Sequence, residues 1–226
     1  MRAIPVGAVG ILALGLACSG SGVDEGPGGG GTANLVAVQA LRSAATVQVM
    51  VGGHSVLTLS PGIASATVTI PAGTSSLQLQ PTGGSAAGST RTVTFAAGQR
   101  YLLVAAESSG VAVPTLLADT NATPVAGKSK LRVIHAAGLA PPIDIWRTQP
   151  DFPTLIRVMF PFDFNAVSPF LLSDPGDWSI VVTPEGQPDT LYATGSFSVG
   201  GGKLVTVVVM DSTAAGGISA VVVPDN

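Results

Sequence analysis

One cysteine and two histidines in 226 residues leave no material for a disulfide framework, a Cys-based zinc site or a His-rich metal centre. Charged residues are equally scarce at 10%, against about 25% in an ordinary soluble domain. The surface must therefore draw on Thr, Ser, Gln and Gly. The formal net charge is −3 and no run of Lys and Arg exists to displace counterions, which excludes nucleic acid as a partner. No amphipathic stretch of helical period is long enough to matter. What the chain does hold is short apolar runs punctuated by 29 glycines and 17 prolines.

The first such run is different in kind. Met1-Arg2 supplies a positive charge, and Ala3 to Ala17 is apolar except for Pro5 and glycines. About 15 residues fall short of the ~20 that cross a bilayer as a helix. Residues 1–17 read as a signal peptide. The run ends Leu14-Gly15-Leu16-Ala17-Cys18, which has the form of a bacterial lipobox, with Gly15 where Leu is usual. Cys18 is the expected lipidation site, and the membrane a partner through that lipid. Residues 18–33 are rich in Gly and Ser and carry too few side chains to order themselves, so they read as a tether reaching roughly 20 Å.

Sliding the chain by 96 places sets Leu35 to Ala40 over Leu131 to Ala136, and Val47 to Val49 over Ile143 to Ile145. Later segments match with a further slip of several places. Two units follow, 34–121 and 130–226, joined by 122–129. Inside each the apolar period is two: Val47, Val49 and Val51 in one stretch, Leu77 and Leu79 in another. Leu204 to Val209 is apolar almost throughout, as in a strand covered on both faces. The fold class expected is all-β: two tandem immunoglobulin-like antiparallel β-sandwich domains.

The second unit opens Lys130-Leu-Arg-Val-Ile-His-Ala-Ala-Gly-Leu-Ala-Pro-Pro-Ile-Asp-Ile145 and continues through Ser168-Pro-Phe170 and Trp178-Ser-Ile-Val-Val-Thr-Pro184. These segments resemble a family of bacterial surface proteins, domain of unknown function 4397. Ala137-Gly138 replaces its usual Ser-Pro, and the first unit has Gln39 and Gln48 where the second has His135 and Asp144. The resemblance implies tandem surface domains behind a secretion or lipid signal. It implies no chemistry.

Three candidate constellations remain. His135 and Asp144 fall on consecutive strands and read as a structural hydrogen-bond pair. A hydrolase would also need a nucleophile in a strained turn, and no Gly-x-Ser-x-Gly exists. Acidic residues near turns, from Asp163 to Asp189, lack calcium-loop spacing, so no metal or cofactor is expected. Nine of eleven aromatics lie in the second unit. Trp146 alternates away from Ile143 and Ile145, and with Arg147, Phe152, Phe162 and Phe164 it forms the candidate ligand-binding set. The reading is a non-catalytic, lipid-anchored envelope protein with a structural or adhesive role, the first unit serving partly as a spacer. Its alternative is a glycan-binding module using these aromatics, with envelope polysaccharide or a surface protein as partner.

Overall fold

The computed structural model describes residues 30–119, 123–149, 154–212 and 217–225. The protein is all-β, and no helix occurs among these residues. In the first half, β1 (Thr32–Gln39), β2 (Thr46–Val51), β3 (His54–Leu59), β4 (Val68–Pro71), β5 (Gly73–Thr82), β6 (Ser89–Phe95), β7 (Arg100–Ser108) and β8 (Val111–Ala118) build two sheets, ordered β4-β1-β7-β8 and β3-β2-β5-β6. The second half contains β9 (Ser129–Ala136), β10 (Ile143–Thr148), β11 (Ile156–Phe162), β12 (Leu171–Ser173) and β13 (Gly176–Pro184). It continues with β14 (Tyr192–Ala193), β15 (Phe197–Val199), β16 (Leu204–Asp211) and β17 (Ile218–Pro224). Its sheets run β12-β9-β16-β17 and β11-β10-β13-β14, with β15 also on β13. The strand orders of the two halves correspond, with β14 and β15 together in the place of β6.

Alternation builds each sandwich. Val47, Val49 and Val51 of β2 face Leu35 and Ala37 of β1 and Leu103 of β7 in one core. Ile143 and Ile145 of β10 face Leu131, Val133 and Val207 in the other. Most strand pairs are antiparallel, but β1 with β7 and β9 with β16 are parallel. The expectation of antiparallel sheets therefore holds around the periphery and fails at the middle of each inner sheet.

Those parallel pairs are buried on both faces. In β7, Tyr101, Leu103 and Ala105 enter the first core, whereas Leu102, Val104 and Ala106 point the other way. In β16, Val207 and Val209 enter the second core while Val208 and Met210 point away from it. The side chains pointing away meet Val36, Val38 and Ile134 in a third core. The inner sheets thus pack back to back, and the molecule is a stack of four sheets. Burying a Val, Leu, Ile or Met contributes about 1.5–3 kcal/mol, so this shared core ties the halves together. The first half is a structural base of the second, not a spacer beside it.

Contact at the junction is close. A Cβ on Gly138, just after β9, would lie 1.9 Å from the Glu107 carbonyl oxygen of the first half. Gly138→Ala must push the sheets apart, and an expected loss of about 1–3 kcal/mol would lower the urea midpoint at unchanged slope. A midpoint equal to that of the parent would show that the halves do not approach there.

Candidate functional site

The outer face of β10 carries the candidate site around Trp146. Trp146 sits opposite Val181 of β13 on one side and Arg157 of β11 on the other. Its parity is opposite to that of Ile143 and Ile145, so the indole lies outside the core, half-buried, with Nε1 donating to Thr183 Oγ1 at 3.1 Å. That bond fixes the ring on the sheet. The Arg157 guanidinium lies 5.5 Å from the Trp146 ring and 4.0 Å from that of Phe160, which is 59% exposed. Arg157 also pairs with the Asp144 carboxylate.

Asp144 is almost wholly buried beneath this group. Its Oδ2 accepts from Arg157 and, at 3.0 Å, from the Gly186 backbone, while Oδ1 has no partner. Asp144, Trp146, Arg157 and the Gly186–Pro188 loop line a hollow of ≈ 270 Å³. An aromatic plane and a guanidinium over this hollow suit a polar ligand with a flat face. No group of three or more potential metal ligands exists among the described residues.

Other members of the sequence set lie elsewhere. Arg147 projects from the opposite face of β10, because neighbours on a strand alternate. It donates to Ser173 Oγ at 2.6 Å and to the Leu172 carbonyl, and lies 5.2 Å from the Trp178 ring. Phe162 is not a surface ring: it pairs with Ile143 and is fully buried in the second core. Bulges between Ile143 and Trp146 shift the register of β11, so its parity could not be counted from β10. Phe164 is half-buried against the shared core, edge-on to His135 at 6.4 Å. Phe152 and Cys18 lie outside the described residues. Arg157 and Phe160 complete the site; Arg157 carried no sequence signal, since only the strand register places it beside Trp146.

The expected His135–Asp144 pair does not form. His135 shares the inward parity of Leu131 and Val133, whereas Asp144 shares the outward parity of Trp146. His135 is fully buried, 6.0 Å from the Phe162 ring. Its Nδ1 accepts from the Ala137 backbone at 3.2 Å and its Nε2 is unpartnered. Burial lowers its pKa from 6.5 to about 4, against weaker raising effects from the Pro141 carbonyl and the Asp163 carboxylate. The imidazole is therefore neutral at pH 7.

A family model described as domain of unknown function, DUF4397, matches residues 33–146, from β1 into β10. The opening segment 130–145 lies inside this span, and 168–184 lies beyond it. No curated protein sequence matches the chain. Among solved structures, the TIE protein of Bacillus anthracis is similar at 12% identity and a TM-score of 0.26, over 86% of this chain and 43% of that one. A leucine-rich repeat protein from Bacteroides thetaiotaomicron is similar at 15% identity and a TM-score of 0.22, over 78% of this chain and 25% of that one. The chain thus spans less than half the length of either.

Proposed function

The chain belongs to the DUF4397 family, a domain of unknown function, and we propose that it is a non-catalytic, lipid-anchored protein of the bacterial envelope that adheres to glycan through its Trp146 face. The observation that carries this reading is the indole pinned to Thr183, flanked by Arg157 and the exposed Phe160 above a hollow with a partly unsatisfied carboxylate. A sugar ring offers an apolar face to such a platform and hydroxyl acceptors to the Arg157 guanidinium. The separation of His135 from Asp144 removes the pair on which a hydrolase was conceivable. Anchoring rests on the form of residues 14–18 and on the tether that follows.

The test is sedimentation of the full chain with insoluble envelope polysaccharide, beside Trp146→Ala and Cys18→Ala. Loss of a stacking aromatic should weaken binding about fivefold or more, since stacking contacts are worth about 1–3 kcal/mol when a ring is removed. Cys18→Ala should bind as the parent does but leave the membrane fraction of cells. Equal sedimentation of parent and Trp146→Ala would remove the glycan reading, and membrane retention of Cys18→Ala would remove the lipid anchor.

A further inference from the structure

A cleft larger than the hollow at Trp146 lies at the junction of the halves, where the C-terminal ends of β1, β7, β9 and β16 converge. It holds ≈ 420 Å³ and is lined by Arg42, Ser43, Glu107, Ser109 and Gly110 of the first half and Leu139 and Asp211 of the second. That volume lies within the ~300–1,000 Å³ of small-molecule sites, which favour domain interfaces.

Strand register reveals a hidden equivalence in its walls. Leu35 pairs with Tyr101 and Leu131 with Val205, so Glu107 and Asp211 hold the same place at the ends of β7 and β16. Each carboxylate ties down the loop that follows its partner strand. Glu107 does so fully, accepting the Ser43 hydroxyl at 2.6 Å and its backbone N–H at 3.0 Å. Asp211 does so poorly. It is 9% exposed, and only backbone N–H groups serve it: that of Leu139 spans both oxygens at 3.3 and 3.2 Å, with that of Gly138 beside it. No hydroxyl replaces that of Ser43. A loop tie therefore accounts for Glu107 and leaves Asp211 with acceptor capacity in a nearly buried place.

Arg42 supplies the opposite charge. It is exposed, lines the cleft, and makes no hydrogen bond or ion pair among the described residues. A second hollow of ≈ 160 Å³ shares Arg42, Leu139 and Asp211 and adds an apolar wall of Pro141, Leu191 and Ile218. A bare cation would meet the guanidinium, and a bare anion two carboxylates. A ligand carrying both charges satisfies every wall.

We propose that this cleft binds a small zwitterion of the amino-acid class, its ammonium held by Asp211, its carboxylate by Arg42 and its apolar side chain by the Leu139–Leu191 wall. Calorimetric titration of the full chain in detergent tests it, with leucine, phenylalanine, leucinamide and N-acetylleucine as probes. Leucine or phenylalanine should bind saturably. Leucinamide, lacking the carboxylate, and N-acetylleucine, lacking the ammonium, should each bind at least about tenfold more weakly, the worth of one charge-assisted hydrogen bond. Arg42→Gln and Asp211→Asn should each lose the preference for the uncapped form, while Trp146→Ala should leave it unchanged. Arg42 is exposed, so Arg42→Gln retains the fold and decides the matter even where Asp211→Asn does not fold. The proposal falls if no probe binds saturably to the folded chain, if the capped forms bind as well as leucine, or if Arg42→Gln binds leucine like the parent.

Discussion

Asp225→Ala should destabilise the protein by about 3–5 kcal/mol, the cost of stranding a buried charge. The charge stranded is Arg132, only 4% exposed on β9. Its Nε donates to Thr206 Oγ1 at 2.8 Å, and Thr206 donates in turn to Asp225 Oδ2 at 2.5 Å. Arg100, at the start of β7 in the first half, reaches the same aspartate at 3.5 Å and donates to the Pro224 carbonyl at 3.0 Å. The network thus closes the stack at the end opposite the cleft and joins the two halves. Burial dominates both ionisations: it holds the Asp225 carboxyl above its ordinary range and the Arg132 guanidinium below its own, despite their mutual attraction. Desolvation exceeding attraction means the pair adds little net stability, while half of it is costly. Arg132→Met with Asp225→Leu should accordingly recover most of the loss. Urea titration of the parent and the two variants measures this. An Asp225→Ala loss below about 1 kcal/mol, or a double variant no better than the single, would show that no stranded charge is involved.

Much of this architecture could be read from alternation. The spacing of Val47, Val49 and Val51 and of Leu77 and Leu79 marks strands with one buried face, and both lie in the first core. The run from Leu204 to Val209, apolar but for Thr206, marks a strand covered twice. What covers it was not legible, because a one-dimensional pattern records burial but not the identity of the neighbour. The answer, the back of the other half, depends on Leu102, Val104, Ile134 and Val208 meeting across 100 residues. The site was legible to the same extent. Parity placed Trp146 outside, and the same count applied to Asp144 separates it from His135. Arg157 and Phe162 were not legible, since the bulged pairing of β10 with β11 breaks the count. Glu107 and Asp211 escaped for a related reason. Insertions between the early and late strands change the offset between the copies, so their equivalence emerges only from the register of two parallel pairs.

Acidification from pH 7 to pH 4 should cost the parent about 3 kcal/mol more than it costs His135→Gln. A neutral imidazole is preferred in the folded state, where its pKa is about 4 instead of 6.5. The folded protein therefore binds a proton here less readily than the unfolded chain. Its contribution is fully present above pH 6.5 and is lost as pH falls from there to about 4. At ~1.36 kcal/mol per pH unit, the interval amounts to about 3 kcal/mol. Two other groups run the opposite way. Burial raises the carboxyls of Asp211 and Asp225 above their ordinary value, so their contribution falls as pH rises through that raised range. The parent's own curve blends these effects, and only its difference from the variant isolates His135. Glutamine is the right replacement because the first half already holds Gln39 at the equivalent place, fully buried, with Nε2 donating to the Ala44 carbonyl at 3.0 Å. The 96-residue offset puts Ala140 where that acceptor stands. Urea midpoints of parent and variant at intervals from pH 7 to pH 4 measure the difference. Curves that stay parallel throughout would mean that His135 takes up its proton as easily folded as unfolded, and that the core between Phe162 and Phe164 admits water to it.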